Sequence, residues 1–327
     1  KSGKRPTKKD ALKKMALEYP DAPIEQIILF RSLENLVTKQ LDSFAREHVV
    51  LDRKTGMRKV YARQLNTASV TGRLAVTAPN LQNVPHDVSF AHPCPNSDMI
   101  RKSMMETGRM PMCTISIRSA FVPRCPEMYI LLSADYQQIE LRMIAYLSQD
   151  QQLLDLLKDP LVDPFKRMAC HMFSCENESV VTSDQRAIVK QLWYATIYGM
   201  GLHTLSEKLR QVLNADANNS SFHGATRLQK TVNDDRQLAK NYSHQFSQRF
   251  PVMDKYRTQY VKDQLLEHTH VSTISNRKRV WLDAAEKRKD EGLFGKYCRD
   301  ALSTIVQGSA ADIFKAALIN TDKRLYD

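Results

Sequence analysis

The chain has 327 residues, 42% of them apolar, which is enough to build a sizeable core in one large or two ordinary domains, so the chain should fold. Its net charge is +12, from 48 Lys and Arg against 36 Asp and Glu, and Lys1, Lys4, Arg5, Lys8, Lys9, Lys13 and Lys14 crowd the start, so a polyanionic partner is expected. Six cysteines at irregular spacing fit neither a disulfide scaffold nor paired CxxC ligands; no apolar run of membrane-spanning length and no signal peptide is evident, and a soluble, intracellular chain in a reducing compartment is expected.

In chain order, residues 8–18 and 24–47 carry helical periodicity, broken by Tyr19-Pro20-Asp21-Ala22-Pro23. Asp52-Arg53-Lys54-Thr55-Gly56 reads as the turn of a hairpin between Val49–Leu51 and Val60–Ala62. Residues 79–127 are rich in proline and polar side chains, and 92–112 looks like an inserted excursion. The apolar run Tyr129-Ile130-Leu131-Leu132 predicts a buried strand with Asp135 at its tip, and helical periodicity resumes at Ile139, Met143, Tyr146 and Leu147. No proline falls between Pro164 and Pro251, which predicts a largely helical region, interrupted by the polar stretch 214–224. Residues 261–282 read as a helix followed by a hairpin, and a last helix is expected over 296–326.

Four clusters carry candidate chemistry. Asp135-Tyr136-Gln137-Gln138-Ile139-Glu140-Leu141-Arg142 sets a carboxylate at a strand end, where it serves either as a helix cap or as a Mg²⁺ ligand bridging to phosphates. Arg186, Lys190 and Tyr194 recur every four residues and lead to Tyr198-Gly199, forming a stripe of two cations and an aromatic that is either solvated surface or a grip for a nucleoside triphosphate. Thr71-Gly72-Arg73-Leu74 with Pro79-Asn80-Leu81-Gln82-Asn83 suits minor-groove and backbone contacts, or is an ordinary turn. Arg299, Ser303 and Gln307 share a helical face beside Gly308-Ser309-Ala310-Ala311-Asp312, a polar stripe next to residues small enough for close helix packing. Cys170, His171 and Cys175 lack a second ligand pair and read as packing residues rather than a zinc site.

Taken together and in this order, the segments TGRL, PNLQNVP, DYxQIELR, QRxxxKxxxYxxxYGMG and QGSAAD resemble the family A DNA polymerases over nearly the whole chain, and QNVPHD, the stretch before Ser116 and IVQGSAAD look most like the theta branch of that family. The resemblance implies an α+β right-hand fold: the end of a thumb over 1–60, palm over 61–150 and 273–327, and mostly helical fingers over 151–272. It implies template-directed DNA synthesis, in-line attack of a primer 3′-hydroxyl on the α-phosphate of a dNTP, with repair by end joining in the nucleus. Asp135 becomes one of two aspartates that hold paired Mg²⁺ ions, and Glu140 the steric gate against a ribose 2′-hydroxyl. Arg186 and Lys190 match the triphosphate grip, with Lys190 also a proton donor to the leaving pyrophosphate, and Tyr194 and Tyr198 match the sugar and template-side aromatics. Arg73, Asn80, Gln82, Asn83, Arg299 and Gln307 match primer-template contacts.

Departures from the family pattern are Gln137 for Ser, Ala195 for Gly, Ser303 for Asn and Cys298 for Glu, which bear on fidelity and vigour. The His-Asp-Glu motif that supplies the second metal aspartate does not occur before Asp327, so this segment alone is expected not to extend a primer. Rival readings are a single-subunit RNA polymerase, opposed by Glu140 and TGRL, and a non-catalytic DNA-binding relative.

Overall fold

The computed structural model describes residues 21–41, 49–85, 87–91, 112–123, 127–173, 175–207 and 235–326, together with positions 12, 15, 16, 19, 44, 105, 125 and 209. The fold is α+β, with helices and two-stranded antiparallel sheets. The chain forms two compact units, one of residues 1–68 with 74–134, the other of 69–73 with 135–327.

The first unit begins with α1 (Ile24–Asn35), prolonged by a π-helical turn over Leu36–Leu41. The expected helix over 8–18 falls almost wholly outside the described residues, as does the excursion at 92–112. Strands β1 (Val49–Leu51) and β2 (Arg58–Val60) pair as a hairpin, as expected, with the second strand two residues earlier than the expected Val60–Ala62. Its turn is closed by Asp52, which exchanges backbone hydrogen bonds with Gly56 and Met57 and pairs with Lys59 at 2.7 Å. The Lys59 ammonium and the Lys54 backbone N–H hold the Asp52 carboxyl down at about 2. Strands β3 (Arg63–Leu65) and β4 (Ala75–Thr77) make a second hairpin, β5 (Val88–Ala91) and β6 (Met112–Ile115) a third. A small core of Leu36, Phe44 and Ile117, with Leu81, Val84, Val88 and Phe121 against it, binds these pieces, and Phe44 meets Phe121 edge-on at 5.8 Å.

The strand expected to deliver Asp135 is absent. Residues 129–136 form neither helix nor strand, and Ile130 and Leu132 are 85% and 88% exposed. The apolar run shows that the segment would profit from burial, but a strand also needs a hydrogen-bonded neighbour, and none of the described strands pairs with it. Asp135 is accordingly exposed rather than buried.

The second unit holds the main core. It comprises α2 (Ile139–Ser148), α3 (Gln151–Leu157), α4 (Pro164–Phe173), α5 (Ser183–Ile197), α6 (Asp235–Arg249), α7 (Pro251–Lys255) with a π-helical continuation over Tyr256–Tyr260, α8 (Val261–His268), the hairpin β7 (His270–Ser272) and β8 (Lys278–Val280), and α9 (Glu291–Tyr326). Among its described residues the proline-free region is largely helical as expected, while residues 210–234, which include the stretch 214–224, lie outside them. Leu141, Ile144, Leu153, Phe165, Phe173, Trp193, Met253 and Leu265 are essentially inaccessible and draw these helices together. Cys170, Cys175 and Cys298 pack against the same cluster. One 18-residue stretch of α9 reaches a mean hydropathy of 1.2, and the helix packs against α2, α8 and β7.

One carboxylate sutures this core. Asp150, 1% exposed, caps α3 by accepting from Leu153 N–H at 3.1 Å, and its second oxygen accepts from Val252 and Met253 N–H at 3.0 Å each, where α7 begins. Two helix N-termini thus place their free amides and positive dipole ends on one buried anion. Asp150→Ala is expected to destabilise the chain by about 2–4 kcal/mol in urea unfolding, and Asp150→Asn, which keeps one acceptor but turns an NH₂ towards facing N–H groups, by roughly half of that.

Candidate nucleotide and nucleic-acid site

Helix α5 sets the site. Thr182 begins it with a reciprocal capping box: its hydroxyl accepts from Gln185 N–H at 3.2 Å, and the Gln185 side chain accepts from Thr182 N–H at 2.9 Å. Val189, Leu192, Trp193 and Ile197 bury one face, with Trp193 edge-on to Phe165 and Phe246. The helix closes at Tyr198 and the chain turns away through Gly199, against which the aliphatic stem of Arg299 from α9 lies. Burial of one face leaves Lys190, Tyr194 and Tyr198 on another, with the two tyrosine rings stacked 6.4 Å apart and only 9° from parallel.

That face meets the start of α2. Asp135, Tyr136, Gln138, Ile139, Glu140, Lys190, Tyr194 and Tyr198 line one cleft of about 390 Å³. Asp135 is exposed, and no hydrogen bond or ion pair among the described residues engages its carboxylate. Glu140, with a side chain only 15% exposed, has both oxygens occupied: Oε1 pairs with Arg73, and Oε2 accepts from the Tyr198 hydroxyl at 2.6 Å. A larger cavity of about 490 Å³ lies along the Val189 and Trp193 face of α5, but no carboxylate lines it.

The expected stripe on α5 is divided. Lys190 is exposed and lines the cleft, whereas Arg186, one turn earlier, donates to Asp163 Oδ2 and does not line it. Both cations lie near the Phe165 ring, Arg186 at 5.9 Å and Lys190 at 6.0 Å from its centroid. On α9, Gln307 faces the Tyr198 hydroxyl and Arg299 flanks Gly199, so both border the end of α5. Asn80, Gln82 and Asn83 belong to the first unit. Asn80 caps a 3₁₀ turn over Leu81–Asn83, and the Gln82 amide is spent on its own loop, donating to Leu74 C=O at 2.8 Å and accepting from Val76 N–H at 3.3 Å.

Two residues that matter here, Asp163 and Arg277, escaped the sequence reading, and a third, Asp312, was named there without a role. Asp163 holds Arg186; nothing in its local pattern sets it apart from a loop aspartate. Arg277 and Asp312 pair at 3.1 Å beneath the Thr71–Arg73 turn. Asp312 closes the QGSAAD segment, but Arg277 stands among Asn276, Lys278 and Arg279, and spacing alone does not single it out.

Burial raises the Tyr198 phenol from 10.0 to about 12, against the lowering effect of the Gln307 hydrogen bond, and burial also raises Tyr194. A folded-state value above the unfolded one means that the stabilisation is intact below pH 10 and is lost as pH rises towards about 12. The tyrosinate absorbance titration of the wild type minus that of Tyr198→Phe is therefore expected to show a group ionising near pH 12, and a difference curve centred at 10 would contradict the burial.

The sequence model of DNA polymerase family A matches residues 1–327. The chain is 33% identical to DNA polymerase theta of Drosophila melanogaster over 95% of its length, and 32% identical to DNA polymerase I of Lactococcus lactis subsp. cremoris over 82%. It covers 13% and 24% of those two proteins, so it spans a small part of the curated relatives that it matches. Among solved structures, the POL domain of Pol1 from M. smegmatis in complex with DNA primer-template and dNTP aligns with a TM-score of 0.70 and 25% identity, over 100% of this chain and 47% of that one. The α+β architecture is thus the right-hand polymerase fold, and the chain belongs to DNA polymerase family A.

Proposed function

We propose that this chain contributes the dNTP site and part of the primer-template surface of a template-directed DNA polymerase, which joins a dNTP to a primer 3′-hydroxyl. The observation that carries the reading is the convergence of Asp135, Glu140, Lys190, Tyr194 and Tyr198 on one cleft, from the start of α2 and from α5, two segments distant in sequence. Phosphates need a cation, a base or sugar needs a flat apolar surface, and a metal needs an oxygen ligand; the cleft offers Lys190, the Tyr194 and Tyr198 rings, and Asp135 in those capacities.

Glu140 supplies selectivity in this reading. A carboxylate clasped by both oxygens cannot swing aside, so an added 2′-hydroxyl on a bound sugar meets a fixed group. Lys190 grips the triphosphate and is the candidate proton donor to the departing pyrophosphate. Arg186 joins it only after leaving Asp163. The proposed duplex contacts are Arg73, Asn80, Gln82, Asn83, Arg299 and Gln307, and the proposed thumb, palm and fingers divide the chain at residues 60, 150 and 272.

A pair of Mg²⁺ ions is the expected cofactor. Among the described residues no group of three or more His, Cys, Asp or Glu forms a metal cage. The unengaged Asp135 carboxylate does fit an ion that reaches the cleft together with the triphosphate, since Mg²⁺ is commonly held by one or two carboxylates and substrate phosphates. Asp135 would hold it, and a bound ion would supply charge neutralisation at the reacting phosphate. The nuclear setting and the repair of double-strand breaks by end joining belong to the same proposal and rest on the theta likeness.

The test is titration of dNTP into the chain with primer-template present. Lys190→Ala is expected to weaken dNTP binding about ten- to hundredfold, the worth of one charge-assisted hydrogen bond, without changing primer-template affinity. Arg186→Ala is expected to cost less, because Asp163 already occupies that guanidinium. Equal dNTP affinity for wild type and Lys190→Ala would remove the assignment of the cleft.

A further inference from the structure

We propose that Arg277 is a positioning residue for sugar selection: it locks the turn that carries Arg73, and through Arg73 it holds the Glu140 carboxylate still. The inference rests on the proposed nucleotide site and goes beyond it, because Arg277 does not line the cleft.

The guanidinium makes four contacts. Its Nε donates to Asp312 Oδ1 at 3.2 Å, and Nη2 approaches the same oxygen at 3.1 Å, Thr71 C=O at 2.8 Å and Gly308 C=O at 3.2 Å. Asp312, with a side chain 10% exposed, also accepts from the Thr273 hydroxyl, which in turn accepts from Arg277 N–H at 3.2 Å. The β7–β8 turn is bolted to α9 once more by Ile274 N–H donating to the buried Ser309 hydroxyl at 3.0 Å. The anchor is thus held from several sides, and among the described residues the one hydrogen-bonding partner of its guanidinium from outside the 273–312 region is the Thr71 carbonyl.

Two glycines show how closely the parts fit. A Cβ on Gly72, whose φ is +82°, would stand 2.6 Å from the Arg277 guanidinium carbon. One on Gly308 would stand 2.7 Å from Thr273 Cγ2 and 2.9 Å from Arg277 Nη2. The turn is thus seated flat on the guanidinium, with its carbonyl fastened at residue 71. Arg73 follows two residues later and is paired with Glu140. Since the Arg73 side chain is 51% exposed, that pair gains little from Coulomb attraction alone; its geometry depends on where the backbone presents Arg73.

Lysine separates the two duties of Arg277. Its ammonium can neutralise Asp312, but it is a point cation without the planar fork that serves carboxylate and carbonyls together. The experiment compares dATP with ATP binding opposite template T, with primer-template present, in wild type, Arg277→Lys and Gly72→Ala, with thermal melting run in parallel. Arg277→Lys is expected to keep a melting temperature near that of the wild type while the preference for dATP falls roughly ten- to hundredfold, the order of loss that a misplacement of about 1 Å produces. Gly72→Ala, which pushes on the guanidinium from the other side, is expected to shift the preference in the same direction. If Arg277→Lys folds and keeps the wild-type preference, Arg277 is a structural anchor only and the inference fails. If the wild type itself binds neither nucleotide, the proposed nucleotide site fails instead, and the two outcomes are distinct.

Discussion

The site depends on a nearly buried carboxylate having both of its oxygens engaged. Glu140 sits in the first turn of α2, where the helix dipole favours a negative charge, but a side chain 15% exposed still requires partners. Those partners come from two places far apart in sequence, the 69–73 turn and the end of α5. Satisfying one anion therefore fixes three elements against one another. Of the two arms, the phenol is the stiffer, since Tyr198 is stacked on Tyr194 and approached by Gln307, while Arg73 is half exposed and screened.

Around that anion the second unit repeats one device. Asp150 joins the starts of α3 and α7, Asp312 joins α9 to Thr273 and Arg277 of the β7–β8 turn, and Asp163 holds Arg186. In each case an acidic side chain collects donors that the backbone or a cation would otherwise leave unsatisfied. The small residues of the QGSAAD segment take part in this. Gly308 and Ser309 let α9 approach the hairpin turn, so their smallness serves packing, while Gln307, one residue before, faces the cleft-lining Tyr198.

The apolar run 129–132 shows the converse condition. Its composition is that of a strand core, yet it lies exposed and unpaired directly before Asp135. Asp135 thus follows an exposed segment that is neither helix nor strand, whereas α5, which lines the same cleft, rests on the main core.

By itself, the sequence determined the helical register of α5, the hairpins at 49–60 and 270–280, the long last helix and the family, because periodicity, capping residues and motif order are local properties that survive without coordinates. It also picked out Asp135, Glu140, Lys190, Tyr194 and Tyr198, since each lies in a motif with a chemical reason for its residue type. Only the tertiary structure decided that these five share a cleft, that Arg186 is diverted to Asp163, and that Gln82 is occupied by its own loop. Arg277 was invisible for the same physical reason: its importance lies in a carbonyl more than two hundred residues away, and no pattern in the neighbouring sequence encodes which distant acceptor a guanidinium will find.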